Sequence, residues 1–189
     1  KVAESGADIG FAQDPDADRL AIVDETGSYV GEEFTLAFAA QHVFSKMTGA
    51  AAANLSTSRM IDDIAARAGC EVIRTAVGEA NVANAMIVHQ CVIGGEGNGG
   101  PIDPRVGYVR DSFVAMAQVL DLMTSTGKTL AELADALPKL AIRKDKASVS
   151  TERLPDLFAK LRQTYPDASC DDGDGLRLAW PDRWLLVRG

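Results

Sequence analysis

The chain has 189 residues, of which 47% are hydrophobic and 24% charged, and its formal net charge is −8. This length allows one large domain or parts of two, and the apolar content suffices for a real core. The acidic balance argues against nucleic acid as a main partner, because such binding rests on a basic surface. No apolar run approaches the roughly 18–20 residues that a membrane-spanning helix needs, and no signal-peptide pattern opens the chain. The sequence therefore predicts no nucleic-acid partner and no membrane partner.

The reactive side chains outside the acidic segments are few. Cys70, Cys91 and Cys170 are odd in number, far apart and without metal-ligand spacing, which is typical of reduced thiols in a cytoplasmic protein. His42 and His89 lie on predicted helices, and we expect them to be packing or surface residues. The chain starts without methionine and stops directly after a strand-like segment, so we interpret it as a fragment of a larger protein.

Short apolar runs alternate with amphipathic stretches as far as about residue 140, which is typical of a layered α/β domain. Four short segments are predicted strands, at 20–24, 52–55, 71–75 and 92–94. Five longer segments between and after them are predicted helices, at 33–47, 58–69, 79–89, 111–126 and 129–137.

The longest predicted helix places four apolar side chains on one stripe. They are Phe113, Met116, Leu120 and Met123. The character of the chain then changes, and we predict a domain boundary at roughly residues 140–148. Beyond it the sequence predicts a charged strand or linker, a turn and three regular elements: linker 142–146, helix 151–165, acidic turn 171–175, and strands 176–180 and 184–187.

Three aspartates lie in one short segment, residues 14–19, which we call the aspartate loop. Asp14, Asp16 and Asp18 alternate with other residues and are followed at once by Arg19. Carboxylates this close repel one another unless a cation lies between them, and hard oxygen ligands suit Mg²⁺ or Ca²⁺. Arg19 offers a fixed positive group for a phosphate. The loop therefore predicts a Mg²⁺ site that serves phosphate chemistry, with a solvated acidic turn as the simpler alternative.

An EF-hand calcium loop is a further alternative, because Glu25 falls at position 12 when Asp14 is counted as position 1. Arg19 stands at position 6, where the turn needs glycine, and Ile22 at position 9 offers no side-chain oxygen. The flanking segments also look like strands, whereas helices flank an EF-hand. These features favour Mg²⁺ over the calcium interpretation.

The second candidate site is the glycine-rich loop, residues 94–100, which follows a predicted strand. Its only side chains beyond hydrogen belong to Glu96 and Asn98, whose carboxylate and amide suit the hydroxyls of a sugar. A flexible surface turn is the simpler alternative. Gly78 lies in another strand-to-helix turn, where backbone amides can face an anion, and Arg110 precedes the longest helix. Each of these two signals is weak alone.

Taken in order, three motifs resemble those of the α-D-phosphohexomutase family, which includes phosphoglucomutase, phosphomannomutase and phosphoglucosamine mutase. Residues 14–19 look like the family's metal loop, 75–78 like the loop before the sugar-binding segment, and 95–100 like the sugar-binding loop. The spacing between them and the Arg110-Asp111 pair also fit. The first motif is fairly specific, and all three in this order are strongly so.

The resemblance implies an α/β fold, with a three-layer mixed-sheet domain of the phosphohexomutase type and a truncated α+β C-terminal piece. Residues 1–19 would end a preceding domain that carries the metal loop, 20–140 would form the sugar-recognising domain, and 141–189 would begin a phosphate-binding domain. The family's phosphorylated serine and its phosphate-gripping loop have no counterpart in these residues. We therefore expect this polypeptide alone to lack mutase activity.

The activity implied by the resemblance is that of an isomerase. A phosphohexomutase interconverts hexose 6-phosphate and hexose 1-phosphate through an enzyme phosphoserine and a bisphosphorylated sugar. Asp14, Asp16 and Asp18 would hold Mg²⁺, and Arg19 would be a catalytic residue that steadies the phosphate. The substrate-binding residues would be Gly78, Glu96, Asn98 and Arg110.

Three positions depart from the family pattern. Asn98 replaces the usual serine and Gly100 the usual histidine, so no proton-transfer role of that histidine carries over; Pro15 stiffens the metal loop. The variant loop resembles those of phosphoglucosamine mutase-like and broad phosphomannomutase-like members, and glucosamine phosphate is slightly favoured over mannose or glucose phosphate. A phosphorylated hexose is the expected partner, and the sequence does not fix the oligomeric state. A non-catalytic module that binds a sugar phosphate or a divalent metal is the alternative.

Overall fold

The computed structural model describes residues 1–189, which divide into two compact units, Lys1–Leu140 and Ala141–Gly189. The helices of the first unit are α1 (Val2–Ser5), α2 (Glu32–Lys46), α3 (Met60–Arg67), α4 (Glu79–His89), α5 (Ser112–Thr126) and α6 (Leu130–Asp135). Its strands are β1 (Ile9–Gln13), β2 (Leu20–Asp24), β3 (Ala51–Asn54), β4 (Val72–Thr75), β5 (Ile93–Glu96) and β6 (Gly100–Ile102).

The first unit contains two sheets. β1 and β2 form an antiparallel hairpin in which Gln13 pairs with Leu20, so the aspartate loop closes its end. The larger sheet has the order β4-β3-β5-β6, with β3 parallel to both of its neighbours and β6 antiparallel to β5. The glycine-rich loop is the connection between β5 and β6, and it therefore lies at the end of a central strand.

Helices cover both faces of the larger sheet. Along β3, Ala51 and Ala53 belong to the main apolar core with α2, α3 and α5, whereas Ala52 belongs to a second cluster. That second cluster includes Val82 and Met86 of α4. Because alternate side chains of a strand point to opposite faces, helices lie on the two sides of this sheet. The predicted three-layer α/β domain with a mixed sheet is confirmed.

The four apolar side chains on one stripe of α5 do not form its buried face. Phe113 is 64% exposed and Leu120 is 44% exposed, and the two methionines of the predicted stripe are only partly buried. The helix instead buries Ala115, Val119 and Leu122. α5 packs against α2, which is itself rich in buried alanines, and small side chains allow two helices to approach closely. The largest apolar side chains therefore do not mark the buried face.

The second unit has a 3₁₀ turn (Thr151–Arg153), α7 (Leu154–Thr164) and an antiparallel sheet of β7 (Ser169–Asp171), β8 (Leu176–Ala179) and β9 (Trp184–Val187). Leu176 and Leu178 are its buried apolar side chains. The segment 142–146 has no regular secondary structure, which agrees with the linker interpretation. Strands β1, β6 and β7 were not among the predicted strands, and each adds a strand to its sheet. No helix is long and apolar enough to cross a membrane.

Candidate active site

The aspartate loop is a tight turn held by its own first carboxylate. Asp14 Oδ1 accepts hydrogen bonds from the backbone amides of Asp18 and Arg19, each at 3.2 Å. Ala17 adopts a left-handed φ of 56°, which reverses the chain, and its carbonyl accepts hydrogen bonds from the amide and hydroxyl of Ser112 at 3.2 and 2.6 Å. The loop is thereby tied to the first turn of α5.

Two carboxylates of the loop interact with each other. Burial and the neighbouring Asp14 carboxyl raise the pKa of Asp18, although Arg110 opposes that rise. Burial alone would also raise the pKa of Asp14, but hydrogen bonds from the Asp18 side chain and from the amides of Asp18 and Arg19 lower it. Asp18 Oδ1 is buried and has no hydrogen-bond partner. An unsatisfied carboxylate oxygen beside a second carboxylate is an arrangement that a cation would stabilise.

The donor chemistry of the loop therefore fits Mg²⁺, which prefers carboxylate oxygens and keeps further positions for water or phosphate. Asp16 is exposed, and no three acidic, histidine or cysteine side chains are spaced as a complete metal-ligand set. Arg19 is half exposed, and its Nε lies 3.8 Å from Asp14 Oδ2 and 3.7 Å from Asp18 Oδ1. Its guanidinium therefore faces the same carboxylates. The roles predicted for these residues remain predictions.

The structure contradicts the EF-hand alternative. Strands β1 and β2 flank the loop on both sides. Glu25 is also engaged elsewhere, because its Oε2 accepts a hydrogen bond from the amide of Ala131 at 3.3 Å at the start of α6. The side chain of Thr129 lowers the pKa of Glu25 through a hydrogen bond. Glu25 thus caps a helix and is not a twelfth-position ligand.

The glycine-rich loop is buried and firmly connected, so its interpretation as a flexible surface turn is wrong. Glu96 is 6% exposed; its Oε1 accepts hydrogen bonds from Asn54 Nδ2 at 2.6 Å and from the Gly78 amide at 3.2 Å. The Gly97 amide donates to Thr57 Oγ1 at 3.0 Å, and the Gly99 carbonyl accepts the Leu20 amide at 2.9 Å. The loop thus joins the larger sheet to the hairpin that carries the aspartates.

Arg110 is the residue at which the three motifs meet. Its Nη2 pairs with Asp18 Oδ2, its Nε lies 3.1 Å from Glu79 Oε2, and its Nη1 lies 3.0 Å from Glu96 Oε2. Its Nη1 also lies 3.3 Å from Asn98 Oδ1, and its side chain is only 10% exposed. One buried cation therefore faces three carboxylates, and the site keeps an excess of negative charge that a divalent ion would reduce.

Local structure explains why Arg110 reaches this position. The Arg110 amide donates to Glu79 Oε1 at 2.9 Å, and the Asp111 amide donates to the carbonyl of Pro101 at 3.1 Å. The Asp111 carboxylate then caps α5 by accepting the amides of Phe113 and Val114 at 2.9 and 3.1 Å. The capping function considered for Asp111 is confirmed, and it fixes the residue before the helix.

Three contributors to the site were absent from the sequence-based prediction: Glu79, Asn54 and Thr57. Glu79 opens α4 and binds Arg110, while Asn54 and Thr57 hold the glycine-rich loop. Asn54 carried a usable signal, because it is the one polar residue at the end of an otherwise all-alanine strand, β3. Polar side chains at the carboxyl ends of parallel strands commonly line ligand sites.

Residues 31–141 match the family model described as "Phosphoglucomutase/phosphomannomutase, alpha/beta/alpha domain III". A phosphoglucomutase/phosphomannomutase of Thermococcus kodakarensis is 37% identical over 186 residues, which are 97% of this chain and 41% of that protein. A probable phosphoglucosamine mutase of Methanopyrus kandleri is 34% identical over 192 residues, covering 99% of this chain and 42% of that protein.

A solved structure supports the same fold. The crystal structure of a phosphoglucomutase/phosphomannomutase family protein from Burkholderia thailandensis superimposes with a TM-score of 0.82 at 24% identity, covering 100% of this chain and 41% of that one. The α/β/α architecture and the match to the family model define the class of domain. The chain belongs to the phosphoglucomutase/phosphomannomutase family, and it spans about two-fifths of the length of the curated relatives it matches.

Proposed function

We propose that this chain supplies the cation loop and the sugar-recognising domain of a phosphohexomutase, an isomerase that interconverts hexose 6-phosphate and hexose 1-phosphate. The observation that carries the proposal is the convergence on Arg110. The aspartate loop, the turn at Gly78-Glu79 and the glycine-rich loop are remote in sequence, yet Asp18, Glu79 and Glu96 all contact one guanidinium.

We propose a role for each residue of the site. Asp14, Asp16 and Asp18 would hold Mg²⁺, which supplies charge neutralisation for a transferring phosphoryl group. Arg19, half exposed beside the same carboxylates, would contact the phosphate from the solvent side. Glu96 and Asn98 would accept and donate hydrogen bonds to sugar hydroxyls, and the Gly78 amide would fix the Glu96 carboxylate. The phosphoserine that completes the reaction would belong to another part of the full-length protein.

A glucosamine phosphate is the proposed substrate, ahead of mannose and glucose phosphates. Its support is the Glu96–Asn98 pair, in which Asn98 Nδ2 lies 3.3 Å from Glu96 Oε2. A carboxylate can receive the protons of an ammonium group, and an amide can serve a hydroxyl as donor or acceptor.

The test is steady-state kinetics of the full-length protein on glucosamine, mannose and glucose 6-phosphates with Mg²⁺. We expect the highest kcat/KM for glucosamine 6-phosphate, and a Glu96→Gln variant should lose about 100-fold or more because a charge-assisted bond is removed. Glu71→Gln, which changes an exposed carboxylate, is the matched control and should retain full activity. The 189-residue chain alone should show no turnover. Binding of hexose phosphate without turnover in the full-length protein would instead establish the non-catalytic module.

A further inference from the structure

Gly100 and Arg110 are packed against each other at the centre of the site. A Cβ atom at position 100 would overlap Cδ of Arg110 and lie 3.0 Å from its Cγ and from the Asp18 carbonyl oxygen. The backbone of Gly100 does not have a positive φ, so its conformation is open to other residues. Glycine is therefore needed here for space and not for backbone freedom, and the side chain that needs the space is that of Arg110.

The partners of Arg110 belong to two different functions in the proposed mechanism. Its Nη2 pairs with Asp18 of the aspartate loop, and its Nη1 binds Glu96 and Asn98 of the glycine-rich loop. A cation on Asp18 would compete with Arg110 for that carboxylate, because both carry positive charge. The bonds of Arg110 to Glu96 and Asn98, by contrast, hold those side chains in place for a sugar.

We propose that Arg110 is a positioning residue that couples the two loops: it orders Glu96 and Asn98 for the sugar and opposes Mg²⁺ at Asp18, and Gly100 is the opening through which it reaches both. This inference rests on the proposed function. It predicts effects of opposite sign on two ligands when the guanidinium is removed, which a merely structural role would not produce.

The experiment is calorimetric titration of the full-length protein with MgCl₂ and, separately, with glucosamine 6-phosphate. Arg110→Met should bind Mg²⁺ about three- to tenfold more tightly, because a competing positive charge is lost from a partly buried site. The same variant should bind the sugar phosphate about tenfold or more weakly, because Glu96 and Asn98 lose their common partner. Arg110→Lys keeps the charge and should return Mg²⁺ affinity toward the wild-type value. Arg67→Met removes one charge from the exposed last turn of α3 and should change neither affinity.

A double-mutant cycle tests the role assigned to Gly100. Gly100→Ala should weaken sugar-phosphate binding in the wild-type background and have a much smaller further effect in an Arg110→Ala background, where of the three close atoms only the Asp18 carbonyl oxygen at 3.0 Å remains. Gly107→Ala is the matched control, because a Cβ there meets only Val109 at 3.6 Å.

The outcomes separate the two proposals. If the wild-type protein binds neither Mg²⁺ nor the sugar phosphate, the proposed function fails and this inference fails with it. If wild type binds both, but Arg110→Met weakens both or leaves Mg²⁺ affinity unchanged, the coupling role of Arg110 is overturned while the proposed function stands. Additive effects of Gly100→Ala and Arg110→Ala would overturn the assignment of Gly100.

Discussion

The aspartate loop and the glycine-rich loop meet at Arg110, but they differ in how far their carboxylates are buried and hydrogen-bonded. Glu96 of the glycine-rich loop is 6% exposed and has partners on both carboxylate oxygens. In the aspartate loop, Asp16 is exposed and Asp18 has one buried oxygen without a hydrogen-bond partner. Contacts within the protein fix the glycine-rich loop, whereas the aspartate loop keeps carboxylate oxygens that could bind a ligand.

The protein therefore preorganises the glycine-rich loop more strongly than the aspartate loop. The glycine-rich loop is continuous with β5 and β6, so its shape is part of the sheet and its disruption should cost stability. The aspartate loop closes the end of a two-stranded hairpin, and its residues 14–19 are half-buried or exposed. Changes in the glycine-rich loop should therefore lower the free energy of unfolding, and changes at exposed positions of the aspartate loop should alter binding with little cost in stability.

The largest effect is expected from Gly95→Ala. Gly95 has a φ of 150°, and a Cβ there would lie 2.5 Å from the Gly100 carbonyl oxygen and 2.9 Å from Pro101 Cα. Both obstacles are backbone atoms, so we expect the free energy of unfolding to fall by about 3–5 kcal/mol from strain and overpacking together. Urea denaturation followed by circular dichroism measures the change.

Gly27→Ala is the control for backbone strain alone. Gly27 also has a positive φ, 90°, but a Cβ there meets only Ala3 Cβ at 3.6 Å. Its cost should be about 1–2 kcal/mol, which is the conformational part without the clash. Equal losses of unfolding free energy in the two variants would show that the close packing of the glycine-rich loop does not contribute to stability. The proposed difference between the two loops would then be wrong.

The aspartate loop should behave in the opposite way. Asp16→Ala removes an exposed carboxylate, so we expect the free energy of unfolding to change by less than about 0.5 kcal/mol. The same variant should bind Mg²⁺ at least about tenfold more weakly in a calorimetric titration, because a hard oxygen ligand is lost. Asp8→Ala removes an exposed carboxylate outside the loop and should leave Mg²⁺ binding intact. Unchanged Mg²⁺ affinity in Asp16→Ala would remove this residue from the ligand set.

The sequence predicted much of this arrangement, since its signals are local. Alternating apolar runs identified β3, β4 and β5 of the larger sheet and the helices that cover it, but not β6. Asp, Glu and Gly in short spacings identified both loops. The meeting of Asp18, Glu79 and Glu96 at Arg110 could not be predicted, because it depends on strand order and on the length of the 103–110 connection. The buried face of α5 depends on tertiary packing in the same way: Ala115 and Val119 are buried on a helix that packs against α2, whose buried residues include three alanines.

The connection that delivers Arg110 has its own anchor at the end of β6. Asp103 is 3% exposed; its Oδ1 lies 2.9 Å from Arg105 Nε, and its Oδ2 accepts a hydrogen bond from Gln118 Nε2 at 2.8 Å. Its carbonyl accepts the amides of Val106 and Gly107, each at 3.0 Å. The glycine-rich side of the site is therefore supported by an ionised side chain at its far end, which makes its stability sensitive to acid.

The smallest effect is expected from this anchor and concerns pH. Burial alone would raise the pKa of Asp103, but hydrogen bonds from Arg105 and Gln118 outweigh it and hold the pKa below the ordinary 3.8. A carboxyl whose pKa is lower in the folded state stabilises the fold above the unfolded-state value and loses that contribution as the pH falls through the folded-state value. Asp103→Asn should therefore cost about 1 kcal/mol at pH 7, and the difference from wild type should shrink below about pH 4. Urea denaturation of both proteins between pH 3 and pH 7 checks this. A constant difference across the range would mean that the ionised form of Asp103 does not stabilise the connection that leads to Arg110.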